Sequence, residues 1–177
     1  MPPIELKHTE ASATVAPASP FTSRDFRDAM GRFAAGVVVI TTKVGEDAHA
    51  MTATAFMSGS LEPPLVIVSI AHTARMHDKI KDSGVFGVSI LGSRQQTASN
   101  HFAGRGVEGY APTFEFLSGV PVLAEADVQL TADVRHSYAC GDHTLYVGEV
   151  RHVINAPSEP QPLVYHKGRY VQVQAAA

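Results

Sequence analysis

The chain has 177 residues, 45% of them apolar and 18% charged, with a net charge of -3. That length points to one domain able to bury roughly two-thirds of its unfolded surface. The charge excludes a global basic field for nucleic acid or anionic lipid, no apolar run reaches the ~18 residues of a spanning helix, and a single cysteine, Cys140, excludes an internal disulfide. The lone thiol points to a reducing compartment, the cytoplasm.

Residues 1–20 are rich in Pro, Ala, Ser and Thr, carry Glu5 and Glu10, and lack the apolar core of a signal peptide. They read as a mobile N-terminal extension, and residues 21–177 as the domain. Thr22, with Asp25 three residues on, caps a predicted helix. Its Phe26, Met30 and Phe33 share one face and Gly36 is its stop. "VVVITTKV" is apolar on both faces, as a central strand is. After a turn at "GEDA", "HAMTATAF" reads as a second strand built from small residues. Pro63 and Pro64 then interrupt pairing, and "LVIVSIA" is a third strand.

Thr73 is the predicted cap of a short helix with Met76 and Ile80 as its apolar stripe and Gly84 as its end. "VFGVSIL" is a fourth strand. Ser93 with Gln96 forms the expected capping box of a second short helix. Residues 104–121, with Gly104, Gly106, Gly109, Pro112, Gly119 and Pro121, read as a long irregular connection. "ADVQLTADVRHSYAC" alternates, with Val128, Leu130, Ala132, Val134 and Tyr138 on one face. A turn at Gly141 and Asp142 and the returning "HTLYVGEVRHVI" complete a hairpin, and "PLVYHKGRYVQV" adds one or two short strands. Helices at crossover spacing are too few for a parallel doubly wound sheet. The expected fold is mainly β, an antiparallel barrel with peripheral helices.

Motifs for nucleophilic or metal chemistry are weak. There is no G-x-S-x-G elbow, and Ser58 and Ser60 lack a strand-turn-helix context. Cys140 has His143 three residues away but reads as a buried or semi-buried thiol. The nine histidines form no H-E-x-x-H, so no metal site is expected, and His72 and His77 read as scattered surface or cap residues. No dinucleotide or Walker fingerprint is present. "SIAHTARMHDKI" does place Arg75 at the head of a helix after a strand, which suits a phosphate and equally a solvated surface arginine. "MTATAFMSGS" has two readings. Its small residues either admit a flat heterocycle to the backbone or face a crowded barrel interior.

Four stretches, "FRDAMGRFAAGVVVITT", "MTATAFMSGSLEPPLVIVSI", "GDHTLYVGEV" and "PLVYHKGRY", resemble the short-chain flavin reductases, the reductase components of two-component flavin-dependent monooxygenases. The resemblance spans residues 21–172 in consistent order. It implies a Greek-key split β-barrel, built as a homodimer with flavin sites near the subunit interface. It implies that Ala48, His49, Ala50, Met51 and Thr52, with Thr54 and Ala55, cradle the ring of FMN or FAD. Where relatives carry Ser or Asn this chain has Thr54-Ala55, which leaves Thr54 as the side chain able to bond the ring. Ser69, Ile70 and Ala71 follow along the next strand. Arg75 becomes a phosphate ligand, with Met76 where a hydroxyl would help, and His101 and Phe102 fall at flavin-contact positions. His143 is placed toward the nicotinamide, in a positioning role. Tyr165, His166, Lys167 and Gly168 lie where the family meets NAD(P)H. "HKGR" is the only candidate for a 2'-phosphate site, so NADH is expected over NADPH. The implied activity is hydride transfer from NADH to flavin, with reduced flavin supplied to a monooxygenase acting on an aromatic compound. The alternatives are an oxidase with tightly held flavin and a non-catalytic flavin-binding or storage protein.

Overall fold

The computed structural model describes residues 20–157 and 161–173. The expected extension therefore lies outside the described residues, apart from Pro20. In chain order the elements are α1 (Ser23–Met30), β1 (Ala35–Gly36), β2 (Val38–Val44), β3 (Asp47–Ala53), β4 (Phe56–Ser60), β5 (Leu65–Ala71), α2 (Arg75–Ser83) and β6 (Val85–Ile90). A short 3-10 turn leads into α3 (Gln96–Phe102), then β7 (Phe114–Leu117), β8 (Val120–Leu123), β9 (Val128–Cys140), β10 (His143–Asn155), β11 (Val164–His166) and β12 (Arg169–Val171). No helix among the described residues is long and apolar enough to cross a membrane.

Seven strands form one antiparallel sheet in the order β3-β2-β6-β9-β10-β5-β4. Its two edge strands, β3 and β4, are consecutive in the chain and joined only by Thr54 and Ala55. A sheet whose first and last strands are joined by two residues has to curl until its edges approach. The result is the expected barrel, split between β3 and β4. The amide of Ser69 donates to the Ala55 carbonyl at 3.1 Å and ties the crossing to β5.

The runs of β-branched residues are explained by two cores. Val38 and Ile40 face the barrel interior with Val68, Ile70, Phe86 and Val88, and α2 inserts Met76 and Ile80 among them. Val37 and Val39 face a second cluster with Leu91, Leu123 and Leu163, covered by α3 and the β11–β12 hairpin. A strand buried on both sides shows no polar alternation. Gly148 is required by the first core. A Cβ there would stand 2.5 Å from Cζ of Phe86.

Several local expectations are corrected. The helix opened by the Thr22–Asp25 capping box ends at Met30 with Gly31 as its cap, well before Gly36. The Gly31 carbonyl accepts the Lys167 amide at 2.7 Å, and Ala35 and Gly36 pair with β11 instead of extending a helix. "HAMTATAF" is not one strand, because pairing with β2 stops at Ala53 and Phe56 begins β4. The cap of α2 is Ala74, not Thr73, and no side chain bonds there. The second short helix is entered one residue early: Gln95 accepts the Gly92 amide at 3.2 Å, in place of a Ser93–Gln96 pair. Part of the irregular connection is the β7–β8 hairpin, turned through Ser118 and Gly119, both at positive φ. A bulge at Arg135 sets Val134 opposite Gly148 but His136 opposite Val147, so Tyr138 leaves the face of Val134 and is exposed.

Candidate active site

The open edge of β3 carries the site. Its side chains divide between the cores: Met51 and Ala53 pack on the barrel interior, Ala50 on the outer cluster with Phe102. Thr52 and Thr54 remain beside a cleft of about 230 Å³. Val37, Ala53, Ala103, Ser99, Arg105, Tyr165 and Tyr170 line it with them. Edge strands leave backbone donors and acceptors unpaired, which a ligand can use.

A hydrogen-bond chain fixes the cleft wall. Thr52 Oγ1 donates to the Ser99 carbonyl at 2.7 Å. The Tyr170 hydroxyl donates to Asn100 Oδ1 at 3.2 Å, so the Ser99 hydroxyl, 2.8 Å away, is the donor to Tyr170. The Tyr165 and Tyr170 rings meet edge to face with centroids 5.2 Å apart.

The other end of β3 meets α2. Asp47 binds Lys79, and that hydrogen bond holds its carboxyl below the usual range. Burial, followed by the charge of Lys79, pushes His49 down, with Arg75 adding a smaller push in the same direction and Asp47 opposing. His49 thus lies within the field of Arg75. It stands three positions before Thr52, about 10 Å along a strand.

A histidine group stands where β5 and β10 begin to diverge. His143 pairs with Ala71 across the strands, and its Nδ1 lies 2.8 Å from Asp142, whose carboxyl is lowered by that bond. His72 and His77, expected to be scattered, converge on Thr144: their Nε2 atoms lie 3.2 and 3.0 Å from its hydroxyl. His77 Nδ1 faces the Asp78 carboxylate at 2.9 Å and so carries a proton.

The expected site residues fall into two groups. Thr52, Thr54 and Tyr165 share the cleft. Phe102 packs beside it, and His101 has its ring between Phe102 and Tyr110, with Nδ1 buried and without a partner among the described residues. Ala71, Arg75 and His143 lie at the α2 end, with Ala48 and His49 at the near end of β3. His143 does not line the cleft that Tyr165 lines. His166, Lys167 and Gly168 form the β11–β12 turn, with Lys167 and Gly168 at positive φ. Two side chains are corrected: Ile70 and Met76 are fully buried in the barrel core, so neither can touch a ligand. Cys140 is exposed rather than buried, because it ends a strand at a surface turn.

Ser99, Arg105 and Tyr170 were not expected. One signal was available for Tyr170. In "YHKGRY" two tyrosines flank a hairpin turn symmetrically, and such residues face each other across it, as Tyr165 and Tyr170 do.

A seven-stranded antiparallel barrel, split along a small-residue edge beside a cleft lined by small, hydroxyl and tyrosine side chains, defines a flavin-binding split barrel. The chain belongs to the flavin reductase family: the profile described as flavin reductase like domain matches residues 30–174. It is 44% identical over 152 residues to an NADH-dependent flavin reductase of Rhodococcus sp, covering 84% of this chain and 85% of that one. It is 41% identical over 145 residues to the reductase component of 4-hydroxyphenylacetate 3-monooxygenase of Thermus thermophilus, covering 82% of this chain and 93% of the relative. The solved structure of the flavin reductase PheA2 in its native state superposes with a TM-score of 0.84 at 42% identity, covering 88% of this chain and all of the other.

Proposed function

We propose that the chain is an NADH-dependent flavin reductase. It passes a hydride from NADH to FMN or FAD and supplies the reduced flavin to a monooxygenase component acting on an aromatic compound. The observation that carries this reading is the meeting of Thr52, Thr54 and Tyr165 around one cleft on the open edge of β3.

The residues fit a flavin. The small side chains of Ala53 and Ala103 let a flat ring approach the backbone, and the hydroxyls of Thr52 and Thr54 suit its polar edge. Arg75, within the field of His49 at the far end of the same strand, suits the flavin phosphate. The hydride chemistry belongs to the nicotinamide and the flavin, and the protein supplies stacking, orientation and electrostatics. Tyr165, which lines the cleft, and the Lys167–Gly168 turn that follows it in the chain are the groups assigned to the dinucleotide. His143 positions the nicotinamide and removes no proton, since hydride transfer requires no base.

The same reading makes the protein a homodimer. Phe26, Met30 and Phe33 are 54%, 55% and 79% exposed along α1 and just beyond it, and Phe21 stacks on Phe26. An apolar face of that size suits coverage by a second copy. A diffusing NADH substrate and an exposed free thiol at Cys140 suit the cytoplasm.

The test is a specificity assay on the purified chain, with FMN, FAD and riboflavin against NADH and NADPH. NADH oxidation that depends on added flavin is expected. A yellow protein inert to NADH would favour storage, and oxygen uptake with another substrate would favour an oxidase.

A further inference from the structure

Among the described residues that line the cleft beside β3, Arg105 is the one that carries a charge. Its place is fixed by the way α3 ends. The Gly104 amide donates to the His101 carbonyl at 3.2 Å and the Arg105 amide to the Asn100 carbonyl at 3.0 Å, with Gly104 at a φ of 78°. Two such bonds around a left-handed glycine form a Schellman termination, which turns the chain back and sets the next residue beside the last helical turn. That turn is tied to the cleft from two sides: the Ser99 carbonyl accepts Thr52 Oγ1, and Asn100 Oδ1 accepts the Tyr170 hydroxyl. Asn100 thus holds Tyr170 with its side chain and Arg105 with its carbonyl. Among the described residues, no carboxylate lies within ion-pair distance of Arg105. A helix C-terminus attracts a cation through its dipole, but that attraction does not require the side chain to line the cleft.

We infer that Arg105 is the counter-charge of the reduced flavin, with its guanidinium on the N1 and C2-carbonyl edge of the ring. The inference rests on the proposed function and adds a residue that the sequence did not single out. In hydride transfer the C4–H bond of the nicotinamide breaks, and its electron pair leaves with the hydrogen to form the N5–H bond of the flavin. The nicotinamide becomes a cationic pyridinium. The flavin ring, neutral before, gains one negative charge, spread over N1 and the C2 carbonyl oxygen, and no separate proton moves. A fixed positive charge at that edge stabilises the product of the step more than its reactant, and lowers the barrier between them. Thr52 and Thr54, whose hydroxyls suit the polar edge, line the same cleft as Arg105, and that edge is where the charge collects. A guanidinium meets such a delocalised anion through two parallel donors, as it meets a carboxylate. Arg75, toward the other end of β3, is left to the phosphate.

The test compares the full chain with Arg105→Ala and Arg105→Lys. Oxidised FMN is titrated in air and chemically reduced FMN without oxygen. The reduction potential of the bound flavin is measured against a reference dye, and riboflavin is run in parallel. Arg105→Ala is expected to weaken binding of reduced FMN about tenfold more than that of oxidised FMN, which lowers the potential of the bound flavin by about 30 mV for a two-electron couple. Riboflavin shows the same shift, because the contact is with the ring. Arg105→Lys keeps the charge and most of the preference for the reduced form. Equal losses for the two redox states, or a shift seen with FMN and not with riboflavin, would overturn the assignment. So would a loss of stability in urea with the potential unchanged, which would leave Arg105 as a cation at a helix end. A parent chain that binds no flavin, or fails to oxidise NADH with any, sinks the proposed function instead, so the two failures are distinguishable.

Discussion

Thr52 Oγ1 donates to the carbonyl of Ser99 at 2.7 Å, across 47 residues of sequence. The bond joins the open edge of the barrel to α3 and fixes one wall of the cleft. The same carbonyl also accepts the Ala103 amide at 3.0 Å within the last turn of the helix. Thr52→Val removes one of its two donors while keeping the shape. The expected cost is about 1 kcal/mol in urea unfolding, together with weaker flavin binding by fluorescence quenching. Thr52→Ser retains the hydroxyl and most of the stability. A valine variant with unchanged stability and affinity would show that the bond does not hold the wall.

Arg75 separates the two ends of the flavin. If its guanidinium meets the phosphate, Arg75→Ala weakens FMN binding about tenfold and leaves riboflavin nearly unaffected. Isothermal titration with both flavins measures this. Equal losses for the two would place Arg75 elsewhere.

His143 is assigned to positioning. Its removal in His143→Ala is expected to raise KM for NADH several-fold while the flavin dissociation constant stays within twofold. Steady-state kinetics and a flavin titration on the same preparation separate the two. Kinetics identical to those of the parent would end this assignment.

His49 gives a pH dependence with a definite sign. Burial and Lys79 hold its folded-state pKa below the ordinary 6.5. Between the depressed value and 6.5 the unfolded chain binds more protons than the folded one, so stability falls as pH drops through that window and is level above it. His49→Gln removes this part of the slope. Urea unfolding across the range checks it, and parallel curves for variant and parent would contradict the burial argument.

The legible part of this molecule was the part written in local pattern. Val38–Val44 lacks alternation because both faces are buried, and Met76 and Ile80 lie on one helical stripe, so β2 and the packing of α2 could be read directly. The end of α1 could not. Gly31 stops that helix because its carbonyl bonds Lys167, a partner 136 residues away. The split in "MTATAF" has the same origin: both halves pair, but with strands on opposite edges of the sheet. In the site, Thr52 and Thr54 were named through the family resemblance, and the small residues around them left two readings open. Ser99, Arg105 and Tyr170 were missed because α3 and the β11–β12 hairpin reach β3 only through tertiary packing. Met76 was expected at the phosphate from its place beside Arg75, but adjacent helical residues point in different directions, and Met76 turns inward.

The most direct test of the account is anaerobic mixing of the full-length protein with NADH and a large excess of FMN, then of FAD, following the bleaching of the oxidised flavin. Bleaching is expected to continue through many equivalents per protein, as it must when flavin enters and leaves an open cleft. Bleaching that stops at one equivalent, or that does not exceed the rate without protein, would contradict it.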